Sequence, residues 1–451
     1  MFFETVNAGY PIFPSQVAPQ QNPLVKGWDP LEAAVKLAHE RNMELHAWVW
    51  VFAAANHRHN QLLGLPSDYL GPVLSAHPDW VMTDITGRKF DSGSSRKAFL
   101  DPANPEVRRY LLNLLSEIST RYQVDGIHFD YIRYPFQDPR INRAYGYSAT
   151  SRRLFQEQHG VDPQTLRAGD RLWSTWTEFR TQQVDEFMEI TTRALKAQRP
   201  NLVISAAVFP FQRPARLLRL QQNWERWAEQ GWVDWLVPMT YAESSSDLQN
   251  LTRPLFYEQY LLESTLLLPG IRLLNLPEAV VVDQMQFLRQ LPVEGYALFA
   301  AENLSPQLQQ VFGRTQGTSP NAAIPLPHRR PFQAALVRYQ SLEKEWIFLL
   351  ASGQIAISGG DRQAWLQGSE ELTAALQQLA TNPSNRNYLK ADLALSHFQQ
   401  GFNRWFQGQA QQNPYQVAGW VNRLATLDRL LNYGERRILR ENSTAQGANS
   451  R

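Results

Sequence analysis

Val124-Asp125-Gly126-Ile127-His128-Phe129-Asp130-Tyr131-Ile132-Arg133-Tyr134-Pro135 is the stretch on which the reading of this chain turns. Its first half is a strand of apolar and aromatic residues, and its end is a proline-stopped loop. Asp130 stands at the junction, where a carboxylate costs desolvation energy unless it is paired or functional. Asp125 sits at the strand start beside Gly126 and reads as a turn residue.

Similar apolar runs recur on both sides of this one: Phe2 to Asn7, Glu44 to Phe52, Leu202 to Val208, Val233 to Tyr241, Leu266 to Leu274 (broken by Pro269-Gly270) and Gly295 to Ala300. Helical patterns separate them. Asp29-Pro30 caps a face of Leu31, Ala34, Val35 and Ala38, and Asn104-Pro105-Glu106 opens a stripe of Val107, Leu111, Leu114, Leu115, Ile118 and Tyr122. Further helices are expected over Trp176 to Ala197, around Trp224 and Trp227 up to Gly231, and over Pro277 to Leu291. Strands apolar throughout and alternating with helices indicate a parallel sheet covered on its outer face. With seven strands in hand, the expected fold is α/β: a (β/α)8 TIM barrel lacking its first strand, followed by a C-terminal helical domain. The strand at residue 2 leaves no room for a preceding one, so the true N-terminus is expected upstream. A doubly wound open sheet is the alternative, weakened by the lack of any G-x-G-x-x-G or P-loop pattern.

After about Gly313 the composition changes. Residues 314–331 carry Thr, Ser, Gly, Asn and prolines, as linkers do. Residues 332–442 are rich in Gln and Leu at helical spacing, as in Leu372, Ala375, Leu376 and Leu379, then Leu424, Leu427, Leu430 and Leu431. The expected domains are therefore a barrel over 1–313, a linker over 314–331, a helical domain over 332–442 that offers a surface for a protein partner, and a disordered tail over 443–451.

Composition narrows the chemistry. Among 451 residues, 44 basic and 42 acidic side chains leave a net charge of +2, which argues against a nucleic-acid partner. There is no cysteine, so disulfides, Cys–zinc sites, iron–sulfur clusters and thiol nucleophiles are excluded. The longest apolar run, Leu45 to Ala55, is too short to be a transmembrane segment. His57-x-His59 lacks a third ligand at suitable spacing, and G-x-S-x-G is absent, so neither a metal, another cofactor nor a serine nucleophile is expected. The 14 Trp and 16 Tyr suit surfaces that stack on sugars, although core packing is their commoner use. Trp48 and Trp50 alternate along one strand and share a face.

Asp-Gly-Ile-His-Phe-Asp followed by an aromatic–proline stretch resembles the signature of the family-ten glycosyl hydrolase-like proteins. These are TIM-barrel proteins of bacterial cell envelopes, related to retaining α-glycosidases and peptidoglycan glycan-strand hydrolases. Asn7-Ala8-Gly9-Tyr10 with Phe13-Pro14-Ser15, His46-Ala47-Trp48, Leu100-Asp101-Pro102-Ala103-Asn104-Pro105-Glu106-Val107-Arg108 and Pro238-Met239-Thr240-Tyr241 resemble further segments of the family, in order, over roughly residues 2 to 304. Two departures stand out: the family's first strand is missing, and Tyr131 stands where many members have a second aspartate.

The resemblance implies a glycoside hydrolase acting on an envelope polysaccharide, most naturally peptidoglycan strands, in the cell envelope or periplasm, although the first residues carry no signal peptide. Glycoside cleavage needs a proton donor and a base or nucleophile, about 5 Å apart for retention or about 6.5–9.5 Å for inversion. The resemblance points to Asp130 as nucleophile or base. Glu243 or Asp101 is the expected acid, with Glu302 a third candidate that equally lines the substrate groove; Glu4 reads as pairing inside the barrel. Substrate contacts are expected from Asn7, His46, Trp48, His128, Tyr241 and Arg133, the last through an acidic sugar group. The alternative is a glycan-binding protein without turnover, which Tyr131 and the missing strand favour.

Overall fold

In the computed structural model, the described residues are 1–93, 96–141, 143–257, 262, 264–315 and 325–440. The chain forms two compact units, Met1–Leu236 and Val237–Arg451.

The first unit is built on strands β1 (Phe2–Asn7), β2 (Tyr10–Pro11), β3 (His46–Trp50), β4 (Ala53–Asn56), β5 (Lys97–Phe99), β6 (Gly126–Asp130) and β7 (Val203–Val208), and enters β8 (Trp235–Pro238), within which the boundary between the units falls. Strand order runs β2-β1-β3-β6-β7, with β1, β3, β6 and β7 parallel. A sheet parallel throughout is not what forms. Ala8 and Gly9 take positive φ angles of 49° and 81°, which folds β2 back antiparallel onto β1, and β4 and β5 make a separate antiparallel pair. The sheet is mixed, and its hydrogen bonds do not trace a closed ring among the described residues.

The helical starts follow the capping chemistry. Asp29 accepts from the Glu32 N–H at 3.1 Å and opens the helix Pro30–His39, while Asn104 accepts from Glu106 at 2.9 Å and opens Pro105–Arg121. The second of these buries Val107, Leu111, Leu114, Leu115 and Ile118, the stripe expected from their spacing. The helix Trp173–Gln198 is 26 residues long. Asp234 ties β7 in place: its carboxylate accepts from the Ile204 N–H at 2.9 Å and from Lys196 Nζ at 2.6 Å.

Register divides the sheet into two unlike faces. Ala47, Val49, Ile127, Phe129, Ile204 and Ala206 are all buried and share the face that packs on helices, Pro105–Arg121 among them. On the opposite face the pairing stacks side chains in levels. Phe2, His46 and Gly126 lie lowest, Glu4, Trp48, His128 and Ser205 next. A register shift between Glu4 and Val6 restores Val6 to the helical side, so that Asn7 joins Trp50 and Asp130 in the uppermost level. Large side chains layered on the inner face are how a barrel-type sheet fills its interior.

The second unit holds the short strand β9 (Leu266–Leu267), the parallel pair β10 (Gly270–Arg272) and β11 (Ala297–Phe299), and helices that include Ser245–Thr252 and Glu278–Arg289. The expected strand Leu266 to Leu274 is split, because Pro269 interrupts it. Four long helices, Pro331–Ala351, Gly359–Thr381, Asn385–Trp405 and Pro414–Gly434, follow. They close over Trp346, which contacts Trp365, Phe398, Phe402, Phe406 and Trp420. Leu372, Leu376, Leu379, Leu424, Leu427, Leu430 and Leu431 are buried and Ala375 is half-buried. Half of the expected linker, residues 316–324, and all of the expected tail lie outside the described residues.

Gly126 is where the lowest level is tightest. A Cβ there would lie 2.2 Å from His46 Nδ1 and 2.7 Å from the Val203 carbonyl. Gly126→Ala is expected to destabilise the first unit by about 1–3 kcal/mol, read as a lower urea midpoint.

Candidate active site

Asp130 ends β6 and is half-buried. Its Oδ1 accepts from the Tyr131 N–H at 2.6 Å and its Oδ2 from Trp48 Nε1 at 3.2 Å. The chain turns sharply after it: Tyr131 has φ +51°, the left-handed region, which costs a non-glycine residue roughly 1–2 kcal/mol. That turn lays the Tyr131 ring against Trp50, centroids 4.4 Å apart, so an aromatic wall rises beside the carboxylate.

Two cations border this wall. Lys97 Nζ lies 5.4 Å from the Tyr131 ring and 5.9 Å from Trp50. The buried Arg133 guanidinium sits among Tyr131, Phe136, Phe209 and Phe99, 5.0–5.9 Å from their centroids, and donates to the Tyr134 carbonyl at 2.8 Å. Burial pushes the Asp130 carboxyl above its ordinary range, against the opposing pull of the Tyr131 N–H, Arg133, Trp48 and Lys97. Desolvation likewise lowers the Lys97 and Arg133 pKa values, with the Asp91 and Asp130 carboxylates pulling them back up.

The uppermost level also holds two polar atoms with no hydrogen-bond partner among the described residues, Asn7 Oδ1 and Trp50 Nε1. One accepts and the other donates, both are buried, and both share a level with Asp130. Buried polar atoms are nearly always satisfied by protein or solvent, so this level leaves one acceptor and one donor to be met by groups other than the described residues.

The expected site residues separate accordingly. Asn7, Trp48, Asp130 and Arg133 come together. His46 lies in the lowest level, 4.6 Å from Trp235 and edge-on to Phe2, with Nε2 3.1 Å from Glu44. His128 lies one level up, its Nδ1 2.9 Å from Ser205 Oγ and its ring 4.2 Å from Phe2. Burial, with His46 adding to it, lowers the His128 pKa to about 3, which favours the neutral imidazole, packed against Phe2 one level beneath the carboxylate.

Asp101 is fully buried, and its oxygens are taken by the Ser148 and Ser151 hydroxyls and the Ala103 N–H. It joins the turn before Pro105–Arg121 to the start of the helix Ala149–His159, a structural role that leaves no oxygen for proton donation. In the second unit, Glu243 is 86% exposed with Arg272 at 3.8 Å, Tyr241 stacks on Phe299 at 5.5 Å, and Glu302 is exposed in a 3-10 turn. Sequence reasoning passed over Lys97, whose signal was a lone cation entering the apolar run Ala98-Phe99-Leu100. Glu4, expected to pair inside the barrel, lies through β1 pairing on the same face as Trp48 and His128 and acts electrostatically on the Tyr131 phenol.

The family model described as glycosyl hydrolase-like 10 matches residues 1–287. The chain belongs to that family. Glycosyl hydrolase DigH of Escherichia coli (strain K12) is 25% identical over 267 residues, 53% of this chain and 54% of DigH. Glycosyl hydrolase YngK of Bacillus subtilis (strain 168) is 22% identical over 229 residues, 48% of this chain and 39% of YngK. The chain thus spans about half the length, or less, of these curated relatives. Among solved structures, the PgaB (BpsB) glycoside hydrolase domain from Bordetella bronchiseptica aligns with a TM-score of 0.48 at 14% identity, over 67% of this chain and 82% of that one.

The raised Asp130 pKa makes this glycosyl hydrolase-like chain's stability pH-dependent with a definite sign. The folded state keeps the Asp130 proton at pH values where the unfolded chain has lost it, so the contribution is full below about pH 4 and falls as pH rises through the shifted pKa. Asp130→Asn cannot ionise. It is expected to melt above wild type at pH 7 and to lose that advantage at pH 3.5–4, as measured by thermal denaturation at both.

Proposed function

We propose that the chain is a glycoside hydrolase built on a (β/α)8-type barrel, that it cleaves an envelope polysaccharide, peptidoglycan glycan strands in the first instance, and that Asp130 is its nucleophile or base. The observation that carries this reading is the uppermost level of the inner face. It presents one carboxylate at a strand C-terminus, the Trp50 indole and the Tyr131 ring as stacking walls with the Trp48 indole donating to the carboxylate from the level below, and Asn7 Oδ1 and Trp50 Nε1, unsatisfied among the described residues, as hydrogen-bonding partners for hydroxyl or amide groups.

Family membership and the glycosyl hydrolase names of the relatives support the reaction class. Lys97 and Arg133 beside Asp130 favour a glycan that carries carboxylates, as peptidoglycan does. They also favour the charged form of Asp130, which a nucleophile or base requires, against the burial that raises its pKa. Glu4, on the same face of the sheet, is the first choice for the second carboxyl group, and Glu243 the second.

The test is reducing-end release from purified glycan strands. Wild type is expected to release ends, and Asp130→Asn to lose at least about 10²-fold; comparing Glu4→Gln with Glu243→Gln assigns the acid. Equal release by wild type and Asp130→Asn ends the catalytic assignment, and binding without release supports a glycan-binding protein instead. Trp48→Phe removes a hydrogen bond to the charged carboxylate, so the acidic limb of the rate profile is expected to move to higher pH, since activity needs the deprotonated form.

A further inference from the structure

A cavity lies within the second unit, where the segment before β11 meets the helices Pro331–Ala351 and Pro414–Gly434. It has a volume of about 520 Å³, and its lining combines the charged Arg338, Arg423, Arg289 and Glu294 with Tyr296, Leu288, Val293 and Leu342.

The acidic groups nearby are already engaged. Glu294 Oε1 accepts from Arg429 Nε at 2.9 Å and Oε2 from the Leu267 N–H at 2.7 Å. Glu345 accepts from Arg423 at 2.6 Å and from Trp420 Nε1 at 2.8 Å. Arg338 is left with a carbonyl oxygen, that of Glu294, as its acceptor among the described residues. Desolvation lowers the Arg338 pKa; the Glu294 carboxylate pulls it back up, and the Arg429 and Arg423 guanidiniums push it further down.

Guanidiniums held together in a partly desolvated pocket are costly unless an anion joins them. Their planar fork of donors matches phosphate oxygens in pairs. The cavity is also larger than a bare oxyanion needs and falls in the range of sites for small organic ligands, and its lining includes the apolar Leu288, Val293 and Leu342.

We propose that this cavity is a binding site for a phosphate monoester carried on a small organic body, with the phosphate between Arg338 and Arg423 and the body against Leu288, Val293, Leu342 and Tyr296. The site is independent of the glycosidase reading, since it shares no residue with the Asp130 level.

The test is calorimetric titration of the full chain at fixed ionic strength with glucose 6-phosphate, inorganic phosphate and glucose. Glucose 6-phosphate is expected to bind, inorganic phosphate to bind more weakly and glucose not at all, and Arg338→Gln to weaken the ester at least tenfold. Undetectable binding of the ester, undiminished binding by a folded Arg338→Gln, or inorganic phosphate binding as tightly as the ester overturns the proposal. Should circular dichroism show that Arg338→Gln does not fold, the wild type decides: glucose 6-phosphate is expected to protect Arg338 from phenylglyoxal, read by peptide mass spectrometry, and lack of protection overturns it.

Discussion

Register between β3 and β6 is the constraint from which the rest of the first unit follows. Trp48 opposite His128 and Trp50 opposite Asp130 place both indoles and the carboxylate on one face, with Ala47, Val49, Ile127 and Phe129 on the other. A slip of one residue would exchange the two faces, burying a carboxylate under helices and exposing four apolar side chains. The burial of those four residues therefore holds Asp130 where it is, although none of them touches a ligand. Gly126 enforces the same register from below, because only a residue without a side chain fits against His46 and the Val203 carbonyl.

Above that foundation the site is a balance between desolvation and donors. Walls that exclude water raise the cost of charge on Asp130, and two N–H groups and two nearby cations repay part of it. The strained Tyr131 backbone belongs to the same balance. Its N–H donates to Asp130 Oδ1, and its positive φ accompanies a ring laid against Trp50, so the residue at the costly turn supplies both a hydrogen bond and a wall.

Legibility in the sequence followed the range of the interactions involved. The capped helices at Asp29 and Asn104 and the runs around β3, β6 and β7 could be read because capping and periodicity are local. The antiparallel returns β2 and β4–β5 could not: they are short and carry no alternation, and they form because Ala8 and Gly9 reverse the chain and because the β5 segment finds β4 some forty residues away. Asp130 was legible as a carboxylate ending an apolar strand. Asp101 looked equivalent by the same criterion, yet Ser148 and Ser151, nearly fifty residues on, convert it into a structural tie. His46 and His128 were legible as buried histidines, but their level below the carboxylate depends on pairing between strands.

What the amino-acid order determined alone is the alternation of strands and helices, the helical C-terminal region, the family signature and the single acid at its end, because each is written in neighbours along the chain. What only the folded chain decided is which polar groups are spent and which are left over. Among the described residues, Asp101 is satisfied, whereas Asn7 Oδ1 and Trp50 Nε1 are not; Glu294 is consumed, whereas Arg338 keeps donors to spare. Hydrogen-bond satisfaction is a property of three-dimensional neighbours, and no spacing along a sequence encodes it.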